Sequence, residues 1–200
     1  NPEFIPQFKE VLAKYDLKLV GINQHIGSLF MDGKPYVEGV KAILNIAKQF
    51  DDLEFVDLGG GFGIPYEKLN DQPRLDMVEL GKQLDEVFEQ FVKDYGKEIT
   101  FKIEPGRYVS AECGVLLGTV TAVKHNGEDK YIGTDIGFNV LQRPVMYDSH
   151  HDIEVYNDSD NTEDVTVVGN ICESGDILAK HRICPEMHVG DTMAMLDAGA

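Results

Sequence analysis

Residues 55–66, Phe-Val-Asp-Leu-Gly-Gly-Gly-Phe-Gly-Ile-Pro-Tyr, run an apolar stretch directly into four glycines within five positions, and no other part of the chain is so constrained. Glycines packed this densely behind a strand let the backbone turn sharply and bring its N–H groups against a ligand with no Cβ in the way. A phosphate is the natural guest. The competing reading is a tight strand-to-loop turn that holds nothing, and for an isolated glycine run the two weigh about equally. The spacing is not Gly-x-Gly-x-x-Gly opening a helix, and no Gly-Lys-Ser/Thr follows. A dinucleotide fold and a nucleotide P-loop therefore rank behind a strand-end phosphate site in a barrel.

The stretches on either side repeat one pattern. Residues 2–15 carry apolar positions at helical spacing, and 17–22 read as a short buried strand leaving into Asn23-Gln24-His25-Ile26-Gly27-Ser28. An amphipathic helix over 36–50 leads to a strand over 53–58. A second helix over 75–95, with Met77, Leu80, Leu84, Val87, Phe88 and Phe91 on one face, leads to a strand over 99–103 that exits into Glu104-Pro105-Gly106-Arg107. Three successive strands thus end in polar, glycine-bearing loops, the alternation expected of a parallel β/α architecture with chemistry at the strand C-termini. Beyond residue 115 the texture changes to short β-rich runs at 115–123, 130–134, 153–156, 165–168 and 192–196, separated by turn residues. The expected fold is α/β: a partial (β/α)8 TIM-type barrel over 1–114, followed by a mainly β domain over 115–200.

Composition narrows the function. A formal net charge of −17 argues against a nucleic-acid or anionic-membrane partner, both of which need clustered Lys and Arg. No apolar run approaches the ~20 residues that span a bilayer, and Asn1-Pro2-Glu3-Phe4 lacks the pattern of a signal peptide, so a cytoplasmic protein is the expectation. Cys113, Cys172 and Cys184 are odd in number and widely spaced, which indicates neither a disulfide framework nor a zinc site. Cys113, beside Ala111 and Gly114, reads as core. His150, His151, His181 and His188 show no convergent partners in sequence, so no metal site is expected.

Together, His25-Ile-Gly-Ser28, Gly59-Gly-Gly61, Glu104-Pro-Gly-Arg107, Arg143-Pro-Val-Met-Tyr147 and Cys172-Glu-Ser-Gly-Asp176 resemble the fold-type III pyridoxal-phosphate decarboxylases. The Arg143, Cys172 and Gly63-Ile64-Pro65-Tyr66 motifs resemble the diaminopimelate decarboxylase branch in particular. The resemblance covers essentially the whole chain, in order and spacing. It also implies a segment upstream of His25 that holds the lysine to which the cofactor attaches. The chain is accordingly expected to be the C-terminal portion of a longer enzyme, inactive by itself.

The resemblance implies pyridoxal 5'-phosphate as cofactor, a small amino acid as substrate, and a homodimer whose active sites are shared between subunits. Glu104 would pair with the pyridine N–H and His25 would lie against the ring face. Ser28, Gly60, Gly61, Gly106 and Arg107 would hold the phosphate. Arg107, Arg143 and Tyr147 would bind the distal carboxylate of the substrate and Glu173 its distal ammonium, arginine offering bidentate geometry that lysine lacks. Cys172 would supply the proton that replaces CO2. For each residue a plainer role stands beside this one: His25 as a structural imidazole, Glu104 paired only with Arg107, Arg143 as a surface guanidinium, Cys172 as a buried thiol. Asp57 is expected to buttress its loop. The alternative activities are decarboxylation of another amino acid (a D-amino acid or a carboxylated polyamine) and a non-catalytic regulatory role.

Overall fold

The computed structural model describes residues 2–200, and the chain divides into two units. The first comprises residues 1–64 and 74–108. The second comprises 65–73 and 109–200, so it takes in a short segment from between the glycine loop and the second long helix, and its main stretch starts at Val109.

In the first unit a 3-10 turn, Pro2–Phe4, leads into α1 (Ile5–Lys14), and three strands follow: β1 (Gly21–Asn23), β2 (Phe55–Asp57) and β3 (Thr100–Lys102). They pair in parallel in the order β1-β2-β3, with Ile22, Val56 and Phe101 in register. Parallel neighbours need crossover connections, and two helices provide them: α2 (Lys34–Ala47) between β1 and β2, α3 (Met77–Tyr95) between β2 and β3. Helix α2 buries Tyr36, Val37, Val40, Ile43, Leu44 and Ala47, the stripe its helical period predicts. Helix α3 starts where the Asp76 carboxylate accepts from the N–H groups of Val78 (3.0 Å) and Glu79 (2.9 Å), and it stops at Gly96, whose φ of +79° a side chain would resist. The core joins these helices to Leu53, Val56, Leu58 and Phe62 from the central strand and its exit. Because all three strands run the same way, the loops after them emerge at one end of the sheet.

The second unit is a six-stranded sheet in the order β6-β9-β4-β5-β7-β8. Its strands are β4 (Leu116–Asn126), β5 (Asp129–Thr134), β6 (Ile153–Tyr156), β7 (Thr162–Val168), β8 (Ile177–Pro185) and β9 (Thr192–Met195). The edge strands β6 and β8 approach each other, so the sheet is nearly closed around Val120, Ile132, Val165, Val167, Leu178 and Met193. All pairings are antiparallel except β5 with β7. That parallel pair forces a long crossover, residues 135–161, which carries α5 (Arg143–Tyr147) and β6.

Three sequence expectations change here. Strand β8, with no counterpart among the expected runs, is nine residues long. Its alternation is broken by His181, which sits at φ +44° opposite register shifts in β7, so period-2 reading fails across it. The first strand covers 21–23 rather than 17–22, since Leu17 and Val20 stay exposed. Cys113 is exposed, its thiol turned to the Ser110 carbonyl, and the buried cysteine is Cys184, whose thiol is pushed by burial up to about 11.

Candidate active site

The first unit gathers one group of the expected residues at the C-terminal end of its sheet. The glycine run is shaped by its neighbours. A Cβ on Gly59 would strike the Gln24 carbonyl, one on Gly60 the Glu104 carbonyl, and one on Gly61 the Gly27 carbonyl, and Gly59 and Gly61 sit at φ +71° and +102°. The three strand-exit loops therefore interlock backbone to backbone, with only hydrogen at the contact points. Hydrogen bonds complete the lock: Glu104 N–H donates to Gly59 O (3.0 Å), Phe30 N–H to Gly61 O (2.8 Å) and Gly63 N–H to Phe30 O (2.9 Å). Asp57 does buttress its loop, accepting from Gly59 N–H at 3.1 Å.

Sequence reading missed Tyr36, which is fully buried in α2 and donates its hydroxyl to the Gly59 carbonyl at 3.3 Å. Burial, helped by the negative charges of Asp57 and Glu104, pushes its phenol up to about 12, so it stays a donor.

On this framework Arg107 Nη2 donates to Ser28 Oγ at 3.1 Å, bringing the exits of β1 and β3 together. Ser28 belongs to the loop after β1 and Arg107 to α4 (Gly106–Ser110), a short helix where a loop was expected. The Gly106 N–H is engaged locally with the Glu104 carbonyl at 2.9 Å. The side chains of His25 and Glu104 are exposed on their loops. A hydroxyl held by a guanidinium, an accessible carboxylate and an accessible imidazole form a set of groups that fits a phosphorylated pyridinium: hydroxyl for the phosphate, carboxylate for the ring N–H.

The second unit carries the other group. Arg143 and Tyr147 begin and end the five-residue α5, with Pro144 suited to the first turn because it has no N–H to satisfy. Tyr147 is exposed and Arg143 half-buried. The Arg143 guanidinium lies over the Tyr66 ring, 4.2 Å from its centroid, and Nη1 is 2.8 Å from Nε2 of His151. His151 is fully buried, and its Nδ1 is 2.7 Å from the Leu196 carbonyl. Burial lowers its pKa below the usual histidine value; the Leu196 carbonyl opposes the shift and the Arg143 charge adds to it.

Cys172 and Glu173 are exposed on the loop between β7 and β8, where Glu173 Oε1 accepts from Gly175 N–H at 3.2 Å. Asp176 anchors that loop. It is 3% exposed and accepts from Phe138 N–H (2.7 Å) and Ile171 N–H (2.8 Å), in a space kept open by Gly137 and Gly169. Asp176→Ala leaves both donors without an acceptor, and the expected loss is about 1–3 kcal/mol for each, read as a lower denaturant midpoint. An unchanged midpoint would remove Asp176 from the anchoring role.

A cleft of about 590 Å³ is lined by Pro144 and Val145 of α5, by His150, and by Gly175, Leu178 and Arg182 around the start of β8. His150, expected to lack partners, contacts Asp152 (2.8 Å) and Arg182. Among the described residues no group of three or more His, Cys, Asp or Glu is placed to hold a metal ion, and no helix is long and apolar enough to cross a membrane.

A family profile described as "Pyridoxal-dependent decarboxylase, C-terminal sheet domain" matches residues 15–199, and the chain belongs to this family. It is similar to the diaminopimelate decarboxylase of Archaeoglobus fulgidus, 40% identical over 206 residues that cover 99% of this chain and 48% of that protein. It also resembles a crystal structure of diaminopimelate decarboxylase at TM-score 0.90 and 31% identity, covering all of this chain and 50% of that one. A third resemblance is to the Methanocaldococcus jannaschii enzyme in complex with L-lysine, at TM-score 0.87 and 30% identity, covering 99% of this chain and 46% of that one. The chain spans about half the length of the curated relatives it matches.

Proposed function

We propose that this chain is part of a pyridoxal-phosphate-dependent decarboxylase that converts meso-2,6-diaminopimelate to L-lysine and CO2. The observation that carries the reading is the placement of His25, Ser28, Glu104 and Arg107 on the interlocked loops at one end of a parallel sheet, with Arg107 on Ser28. The three β/α units are then one arc of a (β/α)8 barrel, with the site at the strand C-termini where barrels carry their chemistry. L-lysine, the product of this reaction, is the ligand in the similar M. jannaschii structure.

Pyridoxal phosphate, when bound, supplies the electron sink for the pair left on the substrate carbon as its bond to CO2 breaks. The chain's residues do the rest. Ser28 and the Arg107 backbone would hold the phosphate, with the loop around Gly60, Gly61 and Gly106 close against it. Glu104 would accept a hydrogen bond from the ring N–H and hold that proton in place. His25 packs on the ring face. Arg107, Arg143 and Tyr147 take the distal carboxylate, and Glu173 the distal ammonium. Cys172 delivers a proton to the carbon that has lost CO2. Arg143 ties the substrate to diaminopimelate, because a substrate without a distal carboxylate has no need of it. Arg143→Lys in the full-length enzyme keeps the charge but loses the planar fork, and KM for diaminopimelate is expected to rise about tenfold, the equivalent of one charged hydrogen bond of roughly 1.5 kcal/mol. Unchanged KM and substrate preference would remove the best support for this substrate.

The proposal extends to assembly: a two-fold dimer in which Cys172 and Glu173 complete the partner's site. Symmetric dimers are the commonest oligomers. Mixing two inactive full-length variants, one lacking the cofactor-binding lysine and one carrying Cys172→Ala, tests it. Random reassortment makes half the dimers mixed with one intact site of two, so recovery of up to about a quarter of wild-type activity is expected. No recovery despite demonstrated subunit exchange would place Cys172 in its own chain's site.

A further inference from the structure

We infer that His151 is a positioning residue that sets the guanidinium of Arg143 for the substrate's distal carboxylate, with Tyr66 as the platform on which that guanidinium rests. This rests on the reading of Arg143 as a carboxylate ligand and deepens it. The three side chains touch one another: the Arg143 guanidinium lies 4.2 Å from the Tyr66 centroid, its Nη1 is 2.8 Å from His151 Nε2, and the Tyr66 and His151 rings meet edge to face at 5.1 Å. Tyr66 and His151 are buried and Arg143 is half-buried.

The hydrogen bonds fix the histidine's form. The Leu196 carbonyl can only accept, so the ring nitrogen 2.7 Å from it, Nδ1, carries the proton. A guanidinium can only donate, so Nε2 facing Arg143 must present its lone pair. The neutral Nδ1–H tautomer satisfies both neighbours at once. An imidazolium would set an N–H against an N–H and push Arg143 out of line. This buried chain, backbone carbonyl to histidine to arginine, removes rotamer freedom from Arg143 before any substrate arrives. A bidentate carboxylate contact needs that, since the fork recognises its partner only in one plane. Tyr66 contributes a ring face on which the guanidinium rests.

The two ring nitrogens can be separated by substitution. Asparagine at 151 keeps a donor near the Nδ1 position for Leu196 and loses the acceptor for Arg143, whereas glutamine places an acceptor near the Nε2 position. In the full-length enzyme His151→Asn is expected to raise KM for meso-diaminopimelate about tenfold while kcat stays within about twofold, because uniform binding is what is lost. His151→Gln is expected to recover most of that loss. In an Arg143→Ala background His151→Asn should add nothing, the signature of one residue acting through the other. If His151→Asn does not fold, Tyr66→Leu in the same cycle with Arg143→Ala takes its place, with the same non-additivity expected. A folded His151→Asn with unchanged KM, or effects that multiply with Arg143→Ala, would overturn the inference. Arg143→Ala with unchanged KM would instead overturn the reading of Arg143 as a substrate ligand.

Discussion

Replacing Glu104 by glutamine in the full-length enzyme is expected to lower kcat by about 10²–10³ while KM for diaminopimelate shifts only severalfold, the pattern of a contact that strengthens as charge develops. The backbone that carries this side chain is well defined. Its N–H donates to Gly59 at 3.0 Å, and its carbonyl packs so closely on Gly60 that no Cβ fits between them. The carboxylate is therefore presented from a backbone fixed on both sides. Glutamine keeps the shape but offers the ring N–H a neutral acceptor, so the ring loses the partner that favours its protonated form. Steady-state kinetics decide it: an unchanged kcat with only a raised KM would take Glu104 out of this role and leave it as an ordinary loop carboxylate.

Gly60→Ala carries the second large effect, and it acts through the fold. The added methyl would overlap the Glu104 carbonyl, so the exits of β2 and β3 must separate, where they are also joined by the bonds from Glu104 to Gly59 and from Leu58 to Lys102. Overpacking a tight site costs about 1–3 kcal/mol, and backbone against backbone has little room to yield, so the upper end is expected. Because the shift displaces Glu104 itself, cofactor affinity should fall with stability. Gly81, inside α3 with nothing near its missing Cβ, is the control: Gly81→Ala should stabilise by about 0.5–1 kcal/mol through helix propensity alone. Thermal unfolding of both variants reads the contrast. Gly60→Ala as benign as Gly81→Ala would mean that the loops do not interlock as described.

Much of this was legible in the sequence, and the limits have physical causes. Helices α2 and α3 announce themselves because a 3.6-residue stripe must face a core, and Val37, Val40, Ile43, Leu44 and Ala47 of α2 are buried at that spacing. The strand exits were legible because glycine, proline and charged residues cluster where strands stop. Strand β8 was not, since its backbone passes through a positive φ at His181 and its partner shifts register. Helix α5 was not among the expected elements, because five residues are too few to show a period. The histidine contacts were invisible for another reason. His151 meets Arg143, Leu196 and Tyr66 through the chain's long-range path, and no local pattern encodes that meeting. A polar side chain buried beside an arginine is a tertiary signal. The glycine run was singled out correctly for its density, but sequence could not show what its missing Cβ atoms make room for. Here it is the carbonyls of the two neighbouring loops.

The most direct test of the account is product analysis on the full-length polypeptide loaded with pyridoxal phosphate and offered meso-diaminopimelate, ornithine, arginine and lysine separately. CO2 and L-lysine should appear in equal amounts from diaminopimelate, with no comparable CO2 from the other three. Release of CO2 from ornithine, arginine or lysine with none from diaminopimelate would contradict the substrate. No CO2 from any of them, with the cofactor demonstrably bound, would contradict the catalytic reading as a whole.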